Sequence, residues 1–156
     1  MELLSREKSK KPLDSTRSGF MGECLVLAKL VSLGYTVKFA DTTNQEGYDL
    51  IILDTDKKIE VKHIQTSEPT SNDSFILKRS QAELDSFDNL VLIISNFTND
   101  NGFNNLKYYI FSNQEIRSIF LNKRTSSGNF TFNLNKEGTK LASTDLSPFQ
   151  DQWKKI

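Results

Sequence analysis

Apolar and polar positions alternate along the chain in short segments, each with its own period. Residues 16–33 carry the helical period: at about 100° per residue, Phe20, Cys24, Leu27, Ala28, Leu30 and Val31 fall on one broad apolar arc. Thr16 or Ser18 is placed to cap this helix and Gly34 to end it. Glu23 falls inside the arc, between Leu27 and Leu30 on the wheel. A bare carboxylate is costly to bury, so Glu23 calls for a partner or a cavity. Gly19 and Gly22 weaken the same turns, which implies that another segment approaches them closely.

Strands follow. Tyr35 to Ala40 alternates, Asp41 to Glu46 is a polar loop, and Leu50 to Leu53 is a continuous apolar run of the kind buried on both faces. Asp54 to Lys58 reads as a turn and Ile59 to Ile64 as the next strand. After a polar loop, Pro69 to Ser74, the pattern predicts a short strand at Phe75–Leu77 and a helix over Ser80–Phe87, with Ser80 and Glu83 as a capping box. Leu90 to Ser95 is a second buried strand. Thr98 to Asn105 is a turn rich in Asn and Gly, followed by a strand at Leu106–Phe111 and a short helix at Asn113–Phe120. A strand at Asn129–Leu134 and a helical segment at Pro148–Trp153 complete the pattern, with Phe149 and Trp153 packing the tail onto the body. This order predicts an α/β fold, a central mixed β-sheet flanked by helices on both faces. With neither repeat nor linker in view, residues 16–156 read as a single domain and residues 1–15 as a flexible basic N-terminal arm.

Composition narrows the function classes. A chain of 156 residues can build one core, and 37% hydrophobic with 26% charged residues is ordinary for a globular protein. The formal net charge of zero argues against coating nucleic acid through bulk charge. Positive charge is nonetheless dense at Arg6 to Lys11, Lys123–Arg124 and Lys154–Lys155. No apolar run is long enough to span a bilayer, and the lysine-rich N-terminus lacks the apolar middle of a secretory signal. Cys24 is the only cysteine, so no internal disulfide is possible and a reducing cytoplasm suits the chain. His63 is the only histidine, which excludes zinc sites built from several His and Cys ligands.

The candidate chemistry lies between Gly47 and Gln65. Strand alternation sets Glu60 and Lys62 on one face and Val61 and His63 on the other, which favours a buried or hydrogen-bonded His63 over a contact to DNA or a proton shuttle. If Leu53 pairs with Lys58, Asp49 comes opposite Lys62 and Ile51 opposite Glu60. Asp49, Glu60 and Lys62 then project together, and a one-residue slip would separate them. Two neighbouring carboxylates raise each other's pKa. Oxygen ligands without His or Cys favour a hard cation, Mg²⁺ or Mn²⁺, which relieves that repulsion. Such an ion also lowers the pKa of water and stabilises charge on a phosphoryl oxygen, while an adjacent lysine can position the water. These parts make a phosphodiester hydrolase.

The arrangement resembles the PD-(D/E)xK nuclease superfamily, which has the restriction-endonuclease-like fold. Glu23 in the first helix, Asp49 at a strand start and Glu60-Val61-Lys62 on the next strand carry the resemblance, with Glu60 lying 11 positions after Asp49. The element order αβββαβ over about residues 16–95 also matches, although Tyr48 stands where many members have proline. The resemblance implies that Asp49 and Glu60 bind the metal with help from the Val61 backbone carbonyl. It implies that Lys62 orients or activates the attacking water, and that Glu23 holds a second ion or acts through a water. Lys78 and Gln81 match positions from which some members reach the scissile phosphate. The implied activity is that of a metal-dependent DNA endonuclease, of a restriction-like, defence or junction-resolving kind. It would work as a homodimer or as a subunit of a larger complex, because each centre cuts one strand. Specificity would come from loops such as Thr66–Ser74 and Thr98–Asn105, or from residues 121–156. The alternative is a non-catalytic nucleic-acid- or protein-binding module of the same fold. Neutral net charge favours that alternative, and the intact acidic pair disfavours it. Nothing in the chain separates DNA from RNA as the polymer, though the aromatic stacking pattern of RRM domains is lacking.

Overall fold

A computed structural model describes residues 13–41, 47–66, 73–83, 86–98, 102–121 and 129–156. The basic runs at Arg6 to Lys11 and Lys123–Arg124, and most of the loops at 41–46 and 66–74, lie outside the described residues.

Helix α1 spans Ser15–Ser32. Its cap is Asp14, not Thr16 or Ser18: the Asp14 side chain accepts from the Arg17 N–H at 2.9 Å. Residues 13–15 therefore belong to the folded part. Gly34 follows the helix with φ +94, a conformation that favours glycine. The face that α1 buries is Ser18, Gly22, Val26 and Leu30. This corrects the predicted arc, since Phe20 and Val31 are 60% and 51% exposed. Small side chains decided the orientation. The helix approaches the sheet through Ser18 and Gly22, and a Cβ at Gly22 would stand 2.8 Å from the His63 Cβ. The close approach expected at Gly22 is therefore real, whereas Gly19 faces open space.

Five strands form the main sheet: β1 (Val37–Phe39), β2 (Leu50–Ile52), β3 (Lys57–Thr66), β5 (Asn89–Thr98) and β6 (Gly102–Ser112), in the order β1-β2-β3-β5-β6. β3 and β5 run parallel and the other neighbours antiparallel, so the sheet is mixed as expected. Between β3 and β5 the chain makes β4 (Ser74–Leu77) and the short helix α2 (Arg79–Glu83). β4 does not join the main sheet. It pairs with β7 (Phe130–Asn133), where the Phe75 and Phe132 rings stack at 4.7 Å. α2 is shorter than the predicted Ser80–Phe87, and Phe87 instead enters the core. The predicted Asn- and Gly-rich turn is mostly strand, since the ladder continues to Thr98↔Gly102.

The sheet carries apolar side chains on both faces. Val26 and Leu30 of α1 pack with Leu50, Ile52, Ile59, Val61, Val91 and Ile93 on one face. Leu90, Leu92 and Ile94 face the other, with Ala82 of α2, Phe132 of β7, and Ile116 and Ile119 of α3 (Asn113–Leu121). Helices thus cover both faces. The tail has no α-helix at Pro148–Trp153. It forms two 3-10 turns, Ser147–Phe149 and Trp153–Lys155, separated at Asp151, whose φ of +52 breaks the helical path. Phe149 nevertheless stacks on Phe111 at 4.4 Å, and Trp153 packs against the α1 side of the sheet. Among the described residues no helix is long and apolar enough to cross a membrane.

Candidate active site

The register between β2 and β3 decides whether the three polar residues meet. Leu50 pairs with Ile59, Ile51 with Lys58 and Ile52 with Lys57. This is two residues away from the expected pairing, because the four-residue turn forms at Leu53–Asp56, one position earlier than expected, with Asp56 at φ +55. A shift of two preserves the face on which each side chain lies. Asp49 therefore still shares a face with Glu60 and Lys62, but it lies across from Glu60 rather than Lys62.

The pairing then stops. The Asp49 N–H donates to the Ile59 carbonyl at 2.9 Å. The Asp49 carboxylate then replaces the next ladder bond, its Oδ2 accepting from the Val61 N–H at 2.7 Å. Beyond this point β3 continues to Thr66 without β2 beside it. A cleft of about 520 Å³ opens here, lined among others by Glu23, Asp49, Val61, Lys62, His63 and Gln65. Glu60 is not part of this lining and is only 1% exposed.

Within the site, Glu60 Oε1 accepts from Lys62 Nζ at 2.7 Å and from Gln81 Nε2 at 3.0 Å. Glu60 Oε2 is buried and has no hydrogen-bond partner. Burial pushes the Glu60 carboxyl up to about 7, against the stabilising pull of Lys62. Glu23 is likewise pushed up to about 7, first by burial and then by the Asp49 charge. Asp49 is raised by burial, with its bond from Val61 acting the other way. Glu23 and Glu60 therefore each sense the Asp49 and Lys62 charges. The three carboxyl groups do not make a ready-made cage: among the described residues no group of three or more His, Cys, Asp or Glu converges tightly enough to hold an ion alone. Two carboxylates, one of them with a buried oxygen left unsatisfied, fit a hard cation such as Mg²⁺, which completes its shell with water and phosphate oxygens.

Gln81 has a defined task that the sequence did not disclose. Its Oε1 accepts from the Lys78 N–H at 3.1 Å at the start of α2, and its Nε2 holds Glu60. One side chain thus fixes both a helix end and a site carboxylate. Lys78 itself is exposed. A second tie lies on the opposite face of β3. His63 Nδ1 donates to the Ser18 carbonyl at 2.9 Å and lies 3.0 Å from the Ser18 hydroxyl, while Nε2 accepts from the Ser95 hydroxyl at 2.7 Å. Burial holds the His63 pKa below its ordinary value. This neutral imidazole, seated against Gly22, binds α1 to β3 and β5 directly beside Glu23. Alternation had assigned His63 to this face. Its serine partners lie 45 positions upstream and 32 downstream, beyond any local pattern.

The chain thus folds as an α/β protein, with a five-stranded mixed sheet between helices and an open edge on β3. No protein-family model matches the sequence, and no curated protein matches it. Among solved structures the chain is similar to a bacterial homing endonuclease, I-Ssp6803I, with a TM-score of 0.59 over 91% of this chain and 92% of that one, at 15% sequence identity. At that identity the likeness is one of fold.

Proposed function

We propose that this protein is a metal-dependent endonuclease that hydrolyses DNA phosphodiester bonds, of the PD-(D/E)xK type. The observation that carries the proposal is the unpaired buried Oε2 of Glu60, set beside Asp49 and Lys62 where β3 loses its neighbour. The fold shared with a solved homing endonuclease supports DNA as the polymer.

Asp49 and Glu60 would hold Mg²⁺ or Mn²⁺. The Val61 carbonyl would assist, because a strand residue's C=O points to the same edge as its N–H, here the edge at which Asp49 sits. The ion would supply Lewis-acid stabilisation of charge on the phosphoryl oxygens. Lys62, anchored by Glu60, donates to the attacking water and orients it in line with the scissile bond. Glu23, with a pKa near neutral pH, is suited to accept the proton that the water loses. Gln81 keeps Glu60 in place while Lys62 turns toward substrate. Each centre cuts one strand, so cleavage of a duplex calls for a homodimer or a larger complex.

The test is to incubate the protein with supercoiled plasmid, single strands and branched junctions, in Mg²⁺ or EDTA, beside Lys62→Ala and Asp49→Ala. Mg²⁺-dependent cleavage lost in both variants is expected. Cleavage that persists in both would overturn the site. Substrate binding without any cleavage would favour a non-catalytic module of this fold.

A further inference from the structure

Helix α1 is apolar on two sides, and the second is only partly covered within the chain, where Leu27 packs on the core and Phe20 on Phe39. A helix that is apolar all round normally has partners all round. The buried ladder Ser18–Gly22–Val26–Leu30 faces β3. A second stripe, Phe20, Cys24, Leu27 and Val31, repeats at intervals of four, three and four, the spacing of a coiled-coil seam. At 100° per residue these four positions lie within about 60° of one another and about 150° from the buried ladder. Phe20 and Val31 are 60% and 51% exposed, and Cys24 is half-buried. Phe39 of the edge strand β1, itself 39% exposed, extends the stripe by stacking on Phe20 at 6.1 Å.

We propose that this stripe is the surface on which two copies of the chain associate, with the two α1 helices antiparallel about a two-fold axis level with residues 25 and 26. That axis pairs Phe20 of each copy with Val31 of the other, and Cys24 with Leu27. Both pairs set a large side chain against a small one, so the stripe is complementary to itself, as an isologous interface requires. The opposed helix dipoles add a small favourable contribution. The surface locates the dimer expected of a two-strand nuclease, but the pairing argument does not depend on the chemistry of the cleft.

The area sets the strength. With about 200 Å² for a whole phenylalanine side chain, the exposed parts of the stripe and Phe39 offer roughly 300 Å² of apolar surface per copy. Homodimer interfaces are about 65% apolar, so covering the stripe on both copies corresponds to a total of roughly 1,000 Å². That is the lower bound for a specific contact. A weak dimer follows, one that dissociates in the micromolar range.

Sedimentation velocity of the whole chain from about 1 to about 100 µM, a range chosen to bracket micromolar dissociation, tests the surface. Wild type should shift from monomer toward dimer across that range. Phe20→Glu and Val31→Glu should each stay monomeric, with the circular dichroism and melting temperature of wild type. A wild type that stays monomeric would overturn the proposal and leave the stripe to a foreign protein. Variants that dimerise like wild type would overturn it as well. Orientation is tested in a Cys24→Ser background with a short bifunctional thiol reagent. Phe20→Cys alone and Val31→Cys alone should not cross-link, whereas their mixture should. Cross-linking of either alone would overturn the antiparallel arrangement. These readouts report mass rather than cleavage, so they can fail or succeed independently of the nuclease assignment.

Discussion

Glu60→Gln should make the protein more stable at alkaline pH and inactive at every pH. The native carboxyl is 1% exposed, its Oε2 has no partner, and its pKa is pushed from the ordinary 4.5 up to about 7. Below the unfolded value both states are protonated and the group contributes nothing. As pH rises from 4.5 the unfolded state loses its proton first, so stability falls until the folded group also ionises near 7. A difference of this size amounts to about 3 kcal/mol above pH 7. Glutamine keeps an oxygen for Lys62 and Gln81, and the attraction to Lys62 that it gives up is already contained in the raised pKa. The net gain is then about 3 kcal/mol at pH 8, a rise in Tm of about 9 °C for a chain of this length, and close to zero at pH 4.5. The assay is thermal or urea unfolding of wild type and variant in EDTA at both pH values. A variant that is less stable at pH 8, or equally more stable at both, would refute the reasoning that an ionised, unsatisfied Glu60 strains the fold. Added Mg²⁺ should stabilise wild type at pH 8 and leave the variant unchanged.

Lys62→Ala should lower Mg²⁺-dependent cleavage by roughly 10²- to 10⁴-fold, the usual span for a positioned proton-handling group, while leaving ion binding intact in a titration calorimeter. Gly22→Ala should destabilise by about 1–2 kcal/mol in urea unfolding. The added methyl meets the His63 Cβ at 2.8 Å, and the overpacking outweighs the helix propensity gained. His63→Leu should cost about 2–4 kcal/mol, because the buried Ser18 and Ser95 groups lose their shared partner. It should also lower cleavage by loosening α1 beside Glu23, whereas His63→Gln should recover part of both.

Much of the fold was legible because its strands are apolar runs and its helices have the right period. Leu90 to Ser95 could be nothing but a buried strand, and it is the β5 centre with Leu90, Val91, Leu92 and Ile93 fully buried. The shared face of Asp49, Glu60 and Lys62 was legible because alternation depends only on parity. The register itself was not, since periodicity cannot reveal which four residues make the turn, here Leu53–Asp56 with Asp56 left-handed. The buried side of α1 was misjudged for a different reason. Hydrophobicity points to Phe20 and Val31, but closeness to β3 is governed by the small Ser18 and Gly22. The pairing of Phe75 with Phe132 joins segments 57 positions apart and leaves no local trace. Gln81 could be singled out as a polar residue on the helix after β3, but only the folded chain shows it bonded to Glu60.

The central claim is that Asp49 and Glu60 together bind a divalent cation, and calorimetric titration with Mn²⁺ at pH 7 in two buffers of different ionisation enthalpy tests it directly. One ion per chain should bind, with protons released, since the Glu60 carboxyl, held near 7, must ionise to act as a ligand. Asp49→Asn and Glu60→Gln should each abolish that binding. No binding at millimolar Mn²⁺, or binding that survives both substitutions, would contradict the account.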